Sequence, residues 1–363
     1  MPQITKNQHF VPELLLKHFT DGDDELVNIY DSKLSKLRPP TTINRVLSEN
    51  YFYDRDNAVE KFLATHVERP ASKIISNIAK NPYGKLDYNR IDLLRFTAVL
   101  LNRTPIALST TLEWIDKFTR TIFHRLGELN GFDEEAMKGV KLVMKDPKTL
   151  LARQTVEGAL NWPLLEDLQW HVLVNKTETA FVISDHPVVH YNWYLRESND
   201  LSYTSLTKCG LQIFLPISKS VMLCLYDSKI YKMGEKMFHY SNIEIESDTR
   251  LLNDLQFRNR GRFVVFPYLK QASYIKNLCH KFPASSLHQN HALSYSPMDT
   301  GAEEIKSTHA AWRTQVRMEK WLSVCRIKRQ DQKRAVECYD RKPEIVQAHK
   351  IFIEKERAKS GTL

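Results

Sequence analysis

Between residues 159 and 169 the hydrophobic period of this chain changes, and that change limits the fold more than any motif does. Before it, apolar residues recur at helical spacing: Val59, Phe62 and Leu63, then Ile74, Ile75 and Ile78, then Trp114, Phe118 and Ile122. The stretch 87–102 is helical and almost wholly apolar from Leu93 to Leu101, as a buried central helix would be. A helix is also expected over 133–159. Pro70 predicts a kink or split, and Arg103-Thr104-Pro105 an end or bend. After the change come short runs rich in Val, Ile and Phe at 169–174, 180–184, 211–215 and 221–225. Short connections predict that they pair in one mainly antiparallel sheet. A helix over 249–258, a strand over 263–266 and a helix over 271–280 follow, while a short helix from Pro12 that ends near 21–24 and a strand over 26–30 open the chain. Runs segregated in this way favour an α+β fold, a helical N-terminal half packed on a mainly antiparallel sheet.

The expected units are an α+β core over 1–282, a polar linker over 283–300 and a basic helical extension over 301–363. The extension carries 15 Lys and Arg against 9 Asp and Glu, so it supplies most of the net charge of +9. Such a tail can attract phosphate backbones, or it can be a solvated helix face with i,i+4 ion pairs. Its expected partner is a nucleic acid or a protein. No apolar run reaches the length of a membrane span, and the first residues lack the apolar core of a secretory signal. Five cysteines, an odd number with no Cys-x-x-Cys spacing, argue against a disulfide framework or zinc–thiolate site. A soluble protein with reduced thiols in the cytoplasm is the expectation.

Three residues stand out for chemistry. His9 lies three residues before Pro12, which suits the first position of a helix. There it can be a base, a metal ligand or a phosphate contact, or it can pack the helix entry. Arg103 follows the apolar run, so a buried guanidinium in need of a carboxylate is expected, with Glu68 as first choice. Asp185 ends the 180–184 run and is followed two residues later by Pro187, so it is either a site carboxylate at a strand end or the acid of an Asx-type turn. His186 and His190 are four apart, but Pro187 between them rules out a shared helix and hence a zincin motif. Neither G-x-G-x-x-G, nor a Walker A string, nor G-x-S-x-G occurs. Trp312 and Trp321 fit packing of the tail onto the body better than stacking on bases.

These strings occur in an order that resembles a bacterial family, the domain of unknown function 4238. The opening Asn7-Gln-His-Phe-Val-Pro-Glu-Leu-Leu-Leu-Lys-His-Phe19 is similar to the family's His-His-Tyr-Val-Pro-Gln start, with Gln8 in place of the first histidine. Asn28-Ile-Tyr-Asp31, Glu49-Asn-Tyr-Phe-Tyr53, Val67-Glu-Arg-Pro-Ala71, Asn102-Arg-Thr-Pro105, Phe181-Val-Ile-Ser-Asp-His-Pro-Val188 and Leu215-Pro-Ile-Ser218 continue it, and Asn253 and Arg262-Phe-Val-Val-Phe266 close it. The resemblance covers about 5–280 and leaves the tail outside. It implies no established activity. By style it is similar to domains of bacterial conflict systems, which is analogy only.

The functional expectation is a nucleic-acid-directed hydrolase, a nuclease or phosphodiesterase acting as an anti-phage or toxin-like effector. His9, Glu68 and Asp185 would be catalytic, and Gln8, Arg103 and Ser184 would bind substrate. His9 and Asp185 are expected to face one cleft. No cofactor is named by the sequence, although histidine with carboxylates admits a divalent metal ion. The rival is a non-enzymatic module that docks a partner through its basic tail.

Overall fold

A computed structural model describes residues 5–22, 25–86, 89–131, 135, 143–198, 202–235, 237–283, 290–295, 308–313, 316–328 and 337–359. The N-terminal segment gives strand β1 (Asn7–His9), the short helix α1 (Glu13–Leu16), β2 (Leu26–Asp31), β3 (Lys36–Thr42) and β4 (Ser48–Asn50). Helices α2 (Ala58–Leu63), α3 (Arg69–Lys80), α4 (Arg90–Asn102), α5 (Pro105–Leu129) and α6 (Pro147–Gly158) follow. The split expected at Pro70 takes a particular form, a π-helical turn over Ala64–Glu68 that joins α2 to α3. Pro70 follows closely on this turn, inside a continuous helical run, and the widened π turn is the irregularity that accommodates a residue without an N–H. Of the helix expected over 133–159, the described part is α6; residues 132–134 and 136–142 lie outside the described residues.

Strands β5 (Gln169–Asn175), β6 (Ile183–Ser184), β7 (Val189–Tyr191), β8 (Gln212–Ser218), β9 (Val221–Tyr226), β10 (Tyr231–Met233) and β11 (Tyr240–Ile243) come next. Helix α7 (Glu246–Asn259), β12 (Phe263–Phe266) and helix α8 (Ala272–Lys281) complete this part. A five-stranded sheet runs β11-β5-β9-β8-β7, antiparallel except for the β11–β5 pair. A four-stranded antiparallel sheet runs β3-β2-β12-β6. The protein is thus α+β, with mostly antiparallel sheets.

The expected single sheet is corrected here: the 180–184 run leaves the other three. Phe181 still bonds to Lys219 beside the larger sheet, but Ile183 and Ser184 pair with β12 of the smaller one. The Asn253 side chain holds the crossing, accepting from Val182 N and donating to Ala180 O, so these backbone groups are satisfied without a strand.

Strand alternation explains why the β-runs read as solidly apolar. Val172, Leu215 and Leu223 face one core with the helices, whereas Leu173, Phe214 and Met222 face a second core on the other side. Each fully buried side chain of this size contributes about 1.5–3 kcal/mol.

The second core also holds the C-terminal residues, and this revises the picture of a separate helical tail. Leu322 and Cys325 are buried in it, and β15 (Cys325–Ile327) pairs with β10. Asp248 accepts from both the N–H and the hydroxyl of Ser323. Residues 308–313 form a strand (β14) paired with 290–295 (β13), inside the stretch expected to be linker, and among the described residues beyond 300 the helix is α9 (Pro343–Lys359). The remaining residues of the expected linker and tail lie outside the described ones. Helical spacing misled here because the irregular segment before β15 and β15 itself bury apolar residues, Leu322 and Cys325 among them, in the second core.

Candidate functional site

Helix α4 is buried along Leu93–Leu100 and ends at Arg103, whose side chain is 1% exposed. Its guanidinium donates in three directions. Nη1 reaches Glu68 Oε1 at 2.6 Å, Nε reaches the Tyr53 hydroxyl at 2.8 Å, and Nη2 reaches the backbone carbonyl of His9 at 2.5 Å. The expected Arg103–Glu68 pair is therefore present. Tyr53 donates in turn to the His9 carbonyl. Burial would lower the Arg103 pKa, but Tyr53 and Glu68 outweigh it and raise it.

Gln8 is fully buried. Its Oε1 accepts from Tyr53 N at 2.8 Å and its Nε2 donates to the Asp54 carbonyl at 3.0 Å. An uncharged amide at this position both donates and accepts to hold the 53–54 backbone. The His9 ring lies with Nε2 3.3 Å from Ile43 O and 3.5 Å from Glu13 Oε1. Burial lowers its pKa, and Glu13 and the Ile43 carbonyl pull it back.

Sequence reasoning passed over two members of this group, Tyr53 and Glu60. Eight residues of ideal α-helix overshoot two turns by about 80°. The wider π turn between Glu60 and Glu68 takes up part of that excess; Glu68 bonds to Arg103, and Glu60 lies within the electrostatic reach of both. Burial pushes Glu60 up to about 7; Arg103 opposes this, and Glu68 and Asp54 add to it. Glu60 Oε2 is buried without a hydrogen-bond partner. A spacing of eight carries no helical signal, so only the π turn reveals the pair.

Asp185 caps no local turn: its carboxylate is bound by three backbone amides some 76–78 residues along the chain, which neither local reading expected. Its Oδ1 accepts from Gly261 N at 2.7 Å, and its Oδ2 accepts from Arg262 N at 2.7 Å and Phe263 N at 2.9 Å. Burial pushes its pKa up while these three amides pull against it. Ser184 Oγ lies 2.9 Å from His186 O and 3.1 Å from Gln256 Oε1. The strings around His9 and Asp185 do meet, through consecutive residues: Arg103 holds the His9 carbonyl, and the Thr104 hydroxyl is 2.7 Å from His186 Nδ1. Their side chains, however, bond to different partners, so the contacts do not build the expected common cleft. Asp185 fixes the start of β12, whereas His9 belongs to the Arg103 group.

Among the described residues no three His, Cys, Asp or Glu side chains gather as a metal-binding group, so the divalent ion admitted by the sequence has no ligand set there. No helix among them is long and apolar enough to cross a membrane. Trp321 stacks on Tyr191, at 4.9 Å, and on Trp193, at 5.3 Å, and so anchors the C-terminal segment. The Trp312 side chain is outside the described residues.

The fold and this centre define an α+β protein organised around a buried arginine that ties its N-terminal strand to its helical layer. The chain belongs to the family described as protein of unknown function DUF4238, whose model matches residues 7–267. No curated protein and no solved structure matches it.

Proposed function

We propose that the chain is a hydrolase of phosphate esters, with nucleic acid as its substrate and the Arg103 centre as its site. The observation that carries this reading is Glu60, a carboxyl with a buried, unpartnered oxygen beside a second carboxyl and a guanidinium. A group titrating at about 7 is matched to proton transfer near neutral pH. Hydrolysis adds water across a P–O bond. In this reading ionised Glu60 takes the proton of the attacking water, and the departing oxygen regains a proton from solvent. Glu68, 24% exposed at its side chain, is the group that opens toward solvent. Arg103 and Gln8 are positioning residues, and Asp185 and Ser184 support the frame rather than the chemistry. No step is routed through a metal.

Cleavage of nucleic acid is the activity that an anti-phage or toxin-like effector delivers, and that setting belongs to the proposal. So does the cytoplasm, with which the free state of all five cysteines agrees. The test is an assay of the purified chain on single- and double-stranded DNA and RNA, with and without divalent ions. Wild type should cleave at least one and Glu60→Gln none.

The second reading, a binding module without catalysis, is favoured by one observation: Gln8, Arg103 and Asp185 are all satisfied by internal partners. It predicts partner capture, with no hydrolysis by any variant.

A further inference from the structure

Behind Tyr53 lies a pocket of about 910 Å³ between α2 and α6. That is within the size range of small-molecule sites, roughly 300–1,000 Å³. Its lining includes the apolar Val59, Leu150 and Val156, and half-exposed rings at Tyr51 and Phe62, with Tyr53 buried at its edge. Four cations stand on its wall: Arg55, Lys145, Lys148 and Arg153. Two acids also belong to it, but both serve the backbone. Asp54 accepts from Asn57 N and Val59 N, and Asp146 caps α6 through Lys148 N and Thr149 N. Arg153 is paired with Glu157, and Lys148 donates to the Tyr51 carbonyl. Positive charge therefore remains in surplus around a mainly apolar lining with two half-exposed rings.

We infer that this pocket binds a nucleoside phosphate, with its base among the rings and its phosphate toward Arg55, Lys145 and Lys148. Aromatic walls accept any base face, and cations at the rim match the phosphate. The inference rests on the proposed phosphate-ester activity and deepens it by naming the unit recognised. Tyr53 is the physical link, a nearly wholly buried residue at the edge of the pocket whose hydroxyl bonds to Arg103. The same chemistry comes from two sources, a free nucleotide or the phosphorylated end of a strand.

Binding is read by titration calorimetry of the full chain with adenosine 5′-monophosphate, a 5′-phosphorylated tetranucleotide, adenosine, inorganic phosphate and decanoate. The phosphorylated nucleosides bind, and adenosine and phosphate alone bind far more weakly. Preference for the tetranucleotide identifies a strand end, and equal binding a free nucleotide. Arg55→Ala with Lys148→Ala, both exposed side chains, weakens binding on the order of tenfold or more. Ala58→Trp, which fills the pocket, removes it. Glu60→Gln retains binding, so loss of turnover with binding kept bears on the catalytic reading alone. Absence of binding by both phosphorylated nucleosides, or preference for decanoate, overturns the pocket assignment and leaves the Glu60 chemistry to its own assay.

Discussion

Arg103 Nη1 lies 2.6 Å from Glu68 Oε1, so the end of the buried helix α4 is fastened to the π turn between α2 and α3. The same guanidinium holds the carbonyl of His9. One side chain thus joins three parts of the chain that are far apart in sequence. Replacing Arg103 with Ala leaves Glu68 and the Tyr53 hydroxyl without their donor and the His9 carbonyl with Tyr53 alone. The expected loss is about 3–5 kcal/mol in urea unfolding. Lysine at this position should recover less than half, because an ammonium cannot serve the planar, three-way geometry. An unchanged melting temperature for Arg103→Ala would sink the structural role.

Glu60 should make stability fall as pH rises. Its folded pKa, about 7, is above the usual carboxyl value of 4.5, so the folded state keeps a proton that the unfolded state has lost. That contribution is complete below 4.5 and disappears as pH passes 7. Glu60→Gln should therefore melt higher relative to wild type at pH 8 than at pH 5. In the proposed activity the same variant loses about 10²–10⁴-fold, and the wild-type rate rises through pH 7 as the base ionises. A flat rate profile with an active Gln variant removes Glu60 from the mechanism.

His171 acts with the opposite sign. Burial and the nearby His239 hold it at about 4, below the ordinary 6.5, and its Nε2 is 2.8 Å from Ser241 Oγ. The unfolded chain takes up a proton there first, so stability is lost as pH falls from 6.5 toward 4. The effect is up to about 3 kcal/mol at about 1.4 kcal/mol per pKa unit. Denaturant midpoints of wild type and His171→Gln across that window should show it, with the variant's curve flatter.

Asp31 joins two strands of the smaller sheet. Burial would raise its carboxyl, but Arg262 and Arg38 hold it at about 2. Arg262 reaches it at 2.8 Å from β12's edge, and Arg38 at 2.5 Å from β3. Because the pKa is depressed, the stabilisation is present above 3.8 and lost as pH falls through 2. Asp31→Asn should cost roughly 1–2 kcal/mol at pH 7, the two arginines being partly open to water. Equal stabilities of variant and wild type at pH 7 would show that the clamp contributes nothing.

The C-terminal segment is expected to behave as part of the core. Trp321→Ala removes the ring stacked on Tyr191 and Trp193, and by the usual cost of such truncations roughly 3–5 kcal/mol is lost. Ending the chain at residue 300 should lower the melting temperature at least as much. A truncated chain as stable as the full one would restore the picture of a separate arm.

By itself the sequence determined what depends on local period and on unavoidable partners. The change from helical to β spacing gave the α+β order, and strand 263–266 falls where its residues place it, because side-chain alternation and turn chemistry are local. The apolar run before Arg103 required a buried guanidinium with a carboxylate, and Glu68 supplies it, because an unpaired charge in that place is too costly. Tertiary structure decided the rest. The 180–184 run is indistinguishable from its neighbours in composition, yet Asn253, 70 residues on, carries it to the other sheet. The basic tail reads as a helix face, yet its residues 318–327 lie against the larger sheet, because the second face of that sheet needs apolar cover. Asp185 had two local readings, a site carboxylate and an Asx-turn acid, and the fold gave it a long-range role instead, holding the three N–H groups of 261–263. Glu60 and Glu68 came together through one widened helical turn, a property of the folded backbone that no residue spacing announces.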